Sequence, residues 1–404
     1  MAQKTKARRI LGDSFFSIFG LVMMNAAMQF VLFPSWSRTF GTEEYGNILY
    51  LLSYINIPAV SCGTALNYAR MVASVRGETK NGDYNAVWLV LCLIAVPYSL
   101  AVTLLHNGTS FFLFFPLLCL TMIRYYADVE YRLHINYKGY CVYYLLIGLG
   151  YLLGVWLSRK SGYWESAMLL GEALGLAFVL IRGTTIRTGF FKTSSALRGC
   201  MKSTSILLAT NLISNLIFNA DRLLLRHLID GTAVTVYYLA TLIGKAMSLV
   251  TTPLNSVIMG YLARYQGKAT WKMYRALLLI LLALFVCATV GCTVATHIVI
   301  RLLYPDNYAA VKPLILIASV SQVIYFLTNV LTVVLLRFSA QRYQLYINLC
   351  FGISFVACAV PMTLQGGIEG FSAAFLIANL VRLGTGILLG IHALRTQSGE
   401  EEAT

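Results

Sequence analysis

The sequence from Thr204 to Arg264 reads TSILLATNLISNLIFNADRLLLRHLIDGTAVTVYYLATLIGKAMSLVTTPLNSVIMGYLAR. It contains two apolar runs, and a run of about 20 apolar residues crosses the hydrocarbon core of a bilayer as a helix. A short polar corner, Asp230-Gly231-Thr232, joins the two runs. The stretch therefore predicts a hairpin of two membrane-spanning helices.

The same hairpin carries charged side chains inside its apolar runs: Asp221, Arg222, Arg226 and Lys245. By the lower scales, a charged group at the centre of a membrane helix costs roughly 2.5–3.5 kcal/mol. Charged groups at this depth typically face a helix bundle or a cavity and serve a function. We therefore look for functional residues among the charges of the apolar runs.

A second hairpin near the N-terminus has the same hydropathy outline. When the chain is shifted by about 190 positions, Ser14–Gly77 lies over Thr204–Gly267 without a gap, and Asn25 aligns with Asn215. The polar corners of the two hairpins also align, both containing Gly-Thr. Internal repeats of this kind are common in membrane transporters, and we interpret the match as an internal duplication.

The composition of the chain excludes a soluble domain. Hydrophobic residues make up 58% of the sequence, charged residues 12%, and the mean hydropathy is +0.71. In a bilayer core every backbone polar group must bond within a helix or a closed barrel, and long continuous apolar runs favour helices. The sequence predicts an all-α polytopic membrane protein.

About twelve spans are predicted, with a long basic connector, Arg182–Ser203, between the sixth and the seventh. We expect two six-helix bundles, residues 1–190 and 191–404, because a connector between two repeats falls at that point. The predicted spans are 14–37, 46–70, 86–105, 110–126, 140–157, 163–182, 204–226, 234–258, 275–299, 311–335, 345–362 and 371–393.

The distribution of the 31 lysines and arginines predicts the orientation. Most of them lie in turns on the side that contains the N-terminus, and an excess of positive charge marks the cytoplasmic side. An even number of spans brings the C-terminus to the same side. We expect both termini in the cytoplasm. The net charge of +15 does not indicate nucleic-acid binding, because its basic residues lie in short turns rather than on a soluble module.

Several short motifs resemble those of one transporter family. The corner GTEEYG at Gly41–Gly46 leads into an apolar helix, and the pattern Asn219-Ala220-Asp221-Arg222 occurs in the second half. Further matches lie at Tyr237–Ala240, Leu303–Tyr308 and Gly367–Phe375. In order and spacing these motifs resemble the Wzx-like O-antigen and polysaccharide flippases of the multidrug/oligosaccharidyl-lipid/polysaccharide (MOP) exporter superfamily.

This resemblance implies two six-helix bundles that face each other across a central cavity and work by alternating access. The implied substrate is an undecaprenyl-pyrophosphate-linked oligosaccharide, moved from the inner to the outer leaflet of the bacterial cytoplasmic membrane. Such a protein serves O-antigen, capsule or exopolysaccharide synthesis. The implied partners are the lipid-linked substrate, membrane lipids, a coupling proton or sodium ion and other proteins of polysaccharide assembly.

Two cations and one acid lie mid-span. Lys245 and Arg382 are candidate ligands of the pyrophosphate, lysine as a point charge and arginine through its planar fork. The alternative is a structural ion pair inside the bundle, for instance with Glu172. Glu172 itself is a candidate site for a coupling proton or sodium ion. The alternatives are a counter-ion to one of the two cations, or a protonated acid hydrogen-bonded between helices.

Six further residues are candidates for substrate binding or gating. Asp221 and Arg222 are expected toward the outer end of the seventh span, as an outer gate or as part of a structural salt bridge. Arg70 and Arg124 are expected near cytoplasmic helix ends, where they anchor headgroups or collect the anionic substrate. The aligned asparagines of the two hairpins either line the cavity or tie membrane helices together.

Three other functions were weighed against the flippase. A repeat-unit polymerase or ligase needs a sizeable outer loop with catalytic groups, and the loops here are short. A multidrug exporter of the same superfamily more often carries acidic cavity residues, whereas bases outnumber acids in the spans of this chain. A peptidoglycan-precursor flippase usually has more spans. The sequence predicts no cofactor and no metal site, since its nine cysteines form no CxxC pair.

Overall fold

The computed structural model describes residues 2–74, 79–106, 108–187, 192–247, 251, 270–338 and 342–402. Across these ranges the secondary structure is helical, with short turns and no strand. The all-α prediction is confirmed. Contacts divide the chain into two compact units, Met1–Leu223 and Leu224–Thr404. The predicted division at residue 190 differs from this one and stays a prediction.

The first unit contains seven helices and the first part of an eighth. Helix α1 runs into α2 through one π-helical turn, Met28–Leu32, and α8 continues past the end of the unit. The bounds are α1 Ala2–Ala27, α2 Phe33–Phe40, α3 Thr42–Ser74, α4 Asn81–Leu105, α5 Phe111–Leu133, α6 Tyr137–Ser161, α7 Glu165–Arg182 and α8 Leu197–Leu228.

The second unit begins inside α8. Its described helices are α9 Gly231–Ala246, α10 Trp271–Leu303, α11 Tyr308–Val311, α12 Ile315–Phe338 and α13 Arg342–Glu402. Two 3-10 turns, Pro305–Asn307 and Lys312–Leu314, flank α11. The last helix is not continuous, because Gly367 has φ +57° and ψ −138°, a backbone conformation that a residue with a Cβ rarely adopts. This break separates the last two predicted spans.

Helical segments cover nearly all of the described part of each predicted span. Within the described residues, eight helical segments are long and apolar enough to cross a membrane. The chain is a multi-pass membrane protein, and the count of twelve stays a prediction. Several helices extend beyond the predicted spans: 110–126 continues as α5 to Leu133, and the helix of 204–226 begins at Leu197. Asp128 and Glu130 lie on this extension, and the fold satisfies both carboxylates inside the first unit.

The ends of the helices follow from local chemistry. The polar corner between α8 and α9 holds an N-cap, because the Asp230 carboxylate accepts a hydrogen bond of 2.7 Å from the Ala233 backbone. The corner before α3 contains Gly41 at φ +84°, a conformation that favours glycine. Both corners that define the proposed repeat therefore end one helix and begin the next.

Helices α6 and α7 pack almost backbone to backbone. A Cβ on Gly154 would lie 2.5 Å from the Ala167 carbonyl oxygen, and a Cβ on Gly171 would overlap the Tyr151 ring. Small residues permit this close approach between membrane helices, where van der Waals contact replaces the hydrophobic effect as the driving force. The ring of Tyr151 thereby lies directly against α7.

We predict that Gly171→Ala destabilises the protein, because its methyl group has no space beside Tyr151. Overpacking of this kind costs about 1–3 kcal/mol. The measurement is the melting temperature in detergent. The matched control is Gly291→Ala on α10, where an added Cβ meets nothing within 4 Å. An equal melting temperature for Gly171→Ala and the parent chain would contradict the close packing.

Candidate functional site

A buried ion pair lies in the interior of the first unit. The Nε atom of Arg124 on α5 is 3.3 Å from Oε1 of Glu172 on α7, and both side chains are almost fully buried, at 6% and 1% exposed. Tyr151 on α6 links the two residues. Its hydroxyl donates to Glu172 over 2.8 Å and accepts from Nη1 of Arg124 over 3.1 Å. Three helices thus meet at one polar cluster.

The apolar surroundings of this cluster also suit a cation. The Arg124 guanidinium lies over the ring of Tyr125, with its Cζ 4.7 Å from the ring centroid. Its Nη1 also approaches the Met24 sulfur, at 3.4 Å. One carboxylate oxygen, Oε2 of Glu172, has no hydrogen-bond partner among the described residues. The cluster therefore holds one buried positive charge, one buried negative charge and one open acceptor.

This arrangement changes two expectations for the site. Arg124 does not lie at a lipid headgroup, because α5 continues beyond it and its side chain is buried. The counter-ion of Glu172 in the first unit is Arg124, rather than one of the two mid-span cations that the sequence suggested. The sequence could not show this pairing, since the two residues lie on different helices far apart in the chain.

A second buried carboxylate, missed by the sequence prediction, lies one turn further along α5. Asp128 accepts hydrogen bonds from Tyr144 at 2.9 Å and from Tyr140 at 3.3 Å. Arg132 pairs with it at 3.4 Å. The sequence signal that could have found it is the tyrosine-rich stretch at the start of α6. Two of its hydroxyls serve as donors to this buried acid.

Arg382 occupies a different environment in the second unit. It is 6% exposed on α13, and its Nη2 donates to the side-chain oxygens of Asn329 at 2.8 Å and Asn348 at 3.2 Å. Its Cζ lies 4.6 Å from the centroid of the Tyr325 ring and 5.4 Å from that of Phe351. Among the described residues no carboxylate pairs with Arg382, and its Nε has no hydrogen-bond partner.

The other charged candidates are found in helices. Lys245 lies near the end of α9 and is partly buried. Asp221 on α8 is buried, at 7% exposed, and Arg222 beside it is partly buried. The proposed gate and ligand roles of these three residues stay predictions.

The polar candidates bond within the first unit. Asn25 donates to the Leu21 carbonyl of its own helix at 2.8 Å. Asn215 donates to the Ser61 hydroxyl at 3.0 Å and thereby ties α8 to α3. Arg70 donates twice to the Asn81 side chain, at 2.7 and 3.0 Å, and lines a cavity. The contact made by Asn215 is the helix-tying role that the sequence left open.

Known proteins match this chain in structure but not in sequence. No family profile and no curated protein sequence matches the chain. The fold is similar to that of an inward-facing multidrug resistance MATE family transporter of the MOP superfamily, with a TM-score of 0.71, 13% identity and coverage of 95% of this chain and 99% of the other. The chain has the same fold as that solved structure.

Two further solved structures extend the likeness. The lipid II flippase MurJ, in an inward closed conformation, matches with a TM-score of 0.68, 14% identity and coverage of 95% of this chain and 87% of the other. A MOP superfamily transporter from Pyrococcus furiosus, described as having a binding pocket of reverse polarity, matches with a TM-score of 0.58, 13% identity and coverage of 96% and 95%. At these identities the likeness establishes the fold, and the function must be argued from the site.

We predict strong energetic coupling between Arg124 and Glu172. Removing one partner of a buried ion pair leaves an uncompensated charge and typically costs about 3–5 kcal/mol. Arg124→Ala and Glu172→Ala should each lower the melting temperature in detergent, and the double variant should be less destabilised than the sum of the two. Arg159→Ala, which removes an exposed arginine of the same unit, is the control and should change little. Additive effects in this double-mutant cycle would show that the pair is not formed.

Proposed function

We propose that the protein is a flippase that moves an undecaprenyl-pyrophosphate-linked oligosaccharide from the inner to the outer leaflet of the bacterial cytoplasmic membrane. It works by alternating access, with both termini in the cytoplasm. The product serves the synthesis of O-antigen, capsule or exopolysaccharide. The likeness of the fold to solved MOP superfamily transporters supports a transport function. One feature of the second unit supports an anionic substrate.

That feature is the buried guanidinium of Arg382, which is held by neutral groups. A buried charge without a counter-ion is costly, because water no longer solvates it. The amide oxygens of Asn329 and Asn348 lower this cost but leave the positive charge uncancelled. An anion that approaches Arg382 gains a charge-assisted hydrogen bond with little reorganisation, since the rings of Tyr325 and Phe351 already hold the guanidinium in place.

A pyrophosphate is the anion that best fits a flippase. It is the polar part of the lipid-linked substrate that must leave water, and arginine binds phosphate oxygens in a bidentate manner. We assign Arg382 as a direct ligand of the pyrophosphate and Lys245 as a second cation for it. Asn25, Asn215, Arg70 and Arg124 stay candidate substrate contacts, with Arg124 requiring release from its ion pair before it can bind an anion.

The ion pair in the first unit is proposed to couple transport to a proton or sodium gradient. Protonation of Glu172, or a cation bound at its open Oε2 atom, would cancel the negative charge that now holds Arg124. The guanidinium would then be free to change partners. Asp221 and Arg222 are proposed as the outer gate that responds to this change.

The test of the substrate assignment uses purified protein in liposomes that contain an undecaprenyl-pyrophosphate oligosaccharide, with an impermeant glycosidase outside. We expect protein-dependent crossing, and we expect Arg382→Gln to slow it roughly ten- to hundredfold, the loss that removal of a hydrogen bond to a charged group predicts. Lys245→Ala should also slow crossing. Arg301→Gln, an exposed arginine of the same unit, is the control.

The outcomes separate the function from the site. Crossing that is unchanged in Arg382→Gln and Lys245→Ala would keep the flippase and contradict the assigned ligands. No crossing of the oligosaccharide, together with crossing of lipid II or export of a cationic drug in the same liposomes, would replace the substrate. The multidrug exporter and the peptidoglycan-precursor flippase are the alternatives that these arms detect.

The coupling role has its own measurement. In the same liposomes an imposed proton or sodium gradient should accelerate crossing by the parent protein. Glu172→Gln retains a polar group of similar shape beside Tyr151 but cannot ionise. With this variant we expect the oligosaccharide to cross at a rate that no longer depends on either gradient. A gradient response equal to that of the parent would exclude Glu172 as the coupling residue.

A further inference from the structure

The first unit contains a cavity of about 570 Å³ at the junction of α3, α4 and the connector before α8. The residues that line it are Arg70, Lys80, Asn81, Lys192 and Thr193. Three of these five side chains are cationic, and the other two offer hydrogen bonds. By the distribution of positive charge, these chain segments face the cytoplasm.

The arginine of this cavity is already oriented. Both Nε and Nη2 of Arg70 donate to the Asn81 side-chain oxygen, and its Cζ lies 5.6 Å from the centroid of the Tyr84 ring. Asn81 is neutral, so the positive charge of Arg70 is not cancelled by it. Among the described residues no carboxylate forms an ion pair with Arg70. One nitrogen, Nη1, is not used in the bonds to Asn81.

The connector is hydrogen-bonded to the first turn of α4, which lines the same cavity. The buried Asp83 carboxylate accepts hydrogen bonds from the Ser194 backbone at 2.6 Å, from its hydroxyl at 2.7 Å and from the Lys80 backbone at 2.8 Å. These bonds position the two adjacent connector residues, Lys192 and Thr193, at the cavity. The single negative charge of Asp83 leaves a net positive charge among these groups.

A second carboxylate holds the beginning of the connector. Glu130 at the end of α5 accepts bonds from the Thr185 backbone at 2.7 Å and from the Thr184 backbone at 3.0 Å. Asn85 on α4 donates to the Thr185 carbonyl at 3.0 Å. The connector, which the sequence predicted as a linker between two bundles, is thus bonded to the rest of the first unit at Thr184, Thr185 and Ser194.

We propose that this cavity binds a phosphate group, with Arg70, Lys80 and Lys192 as its cationic ligands. The favoured source is the headgroup of an anionic phospholipid, because basic pockets between membrane helices on the cytoplasmic side suit such headgroups. Free phosphate is the other source of the same chemistry. The site lies in the first unit, whereas Arg382 lies in the second. It shares Arg70 with the candidate substrate contacts, and its binding test does not rely on transport.

The binding test uses the full chain in neutral detergent and a fluorescent short-chain phosphatidylglycerol, with zwitterionic phosphatidylcholine as the competitor of zero net charge. A separate titration uses sodium phosphate. A basic residue near an anionic surface contributes roughly fivefold to binding. The double variant Lys80→Ala/Lys192→Ala should therefore bind phosphatidylglycerol roughly 25-fold more weakly. Both lysines are exposed, so their removal should leave the fold intact.

Matched variants complete the design. Lys202→Ala removes an exposed lysine from α8 in the same unit and should bind as the parent does. Arg70→Gln should weaken binding, and its melting temperature shows whether lost packing contributes. If the cavity variants bind phosphatidylglycerol more weakly, the phosphate group comes from a lipid headgroup. If only their binding of sodium phosphate is weaker, the ligand is free phosphate. Equal binding by the parent and the double variant, or no binding of either probe, would overturn the site.

Discussion

The ion pair between Arg124 and Glu172 lies where α5, α6 and α7 meet, and the arrangement of the first unit depends on keeping both charges satisfied. Each charge alone would be costly in an apolar interior. The pair is held through Tyr151, whose ring fits only because α7 has a glycine at position 171. The same three helices pair the two charges and leave space for the Tyr151 ring. A change in their packing would therefore affect both.

The two units treat buried cations differently. In the first unit a carboxylate compensates Arg124, whereas in the second unit Arg382 contacts only amides, a carbonyl oxygen and aromatic rings among the described residues. The Arg124–Glu172 ion pair does not attract an outside anion until its two side chains separate. An uncompensated guanidinium attracts an anion at once. This difference is the physical basis for assigning coupling to the first and substrate binding to the second.

Two buried charges could be identified from the sequence, but their partners could not. Glu172 and Arg382 were identified because they interrupt apolar runs, and both proved to be buried. Asp128 was missed, because a charged residue near the end of an apolar run resembles a helix end as much as a buried group. The tyrosines that satisfy it come from another helix. Hydropathy along one segment carries no information on such donors.

The sequence by itself determined that this is a helical multi-pass membrane protein, because the length and continuity of its apolar runs permit no other way to satisfy the backbone in a bilayer. It also located the two Gly-Thr corners and the gap between the last two predicted spans, since turn residues act locally. Only the tertiary structure decided which charges are paired, and that the basic connector contributes Lys192 and Thr193 to a cationic cavity of the first unit. Pairing depends on which helices pack together, and that follows from the summed contacts of many distant residues rather than from any one stretch.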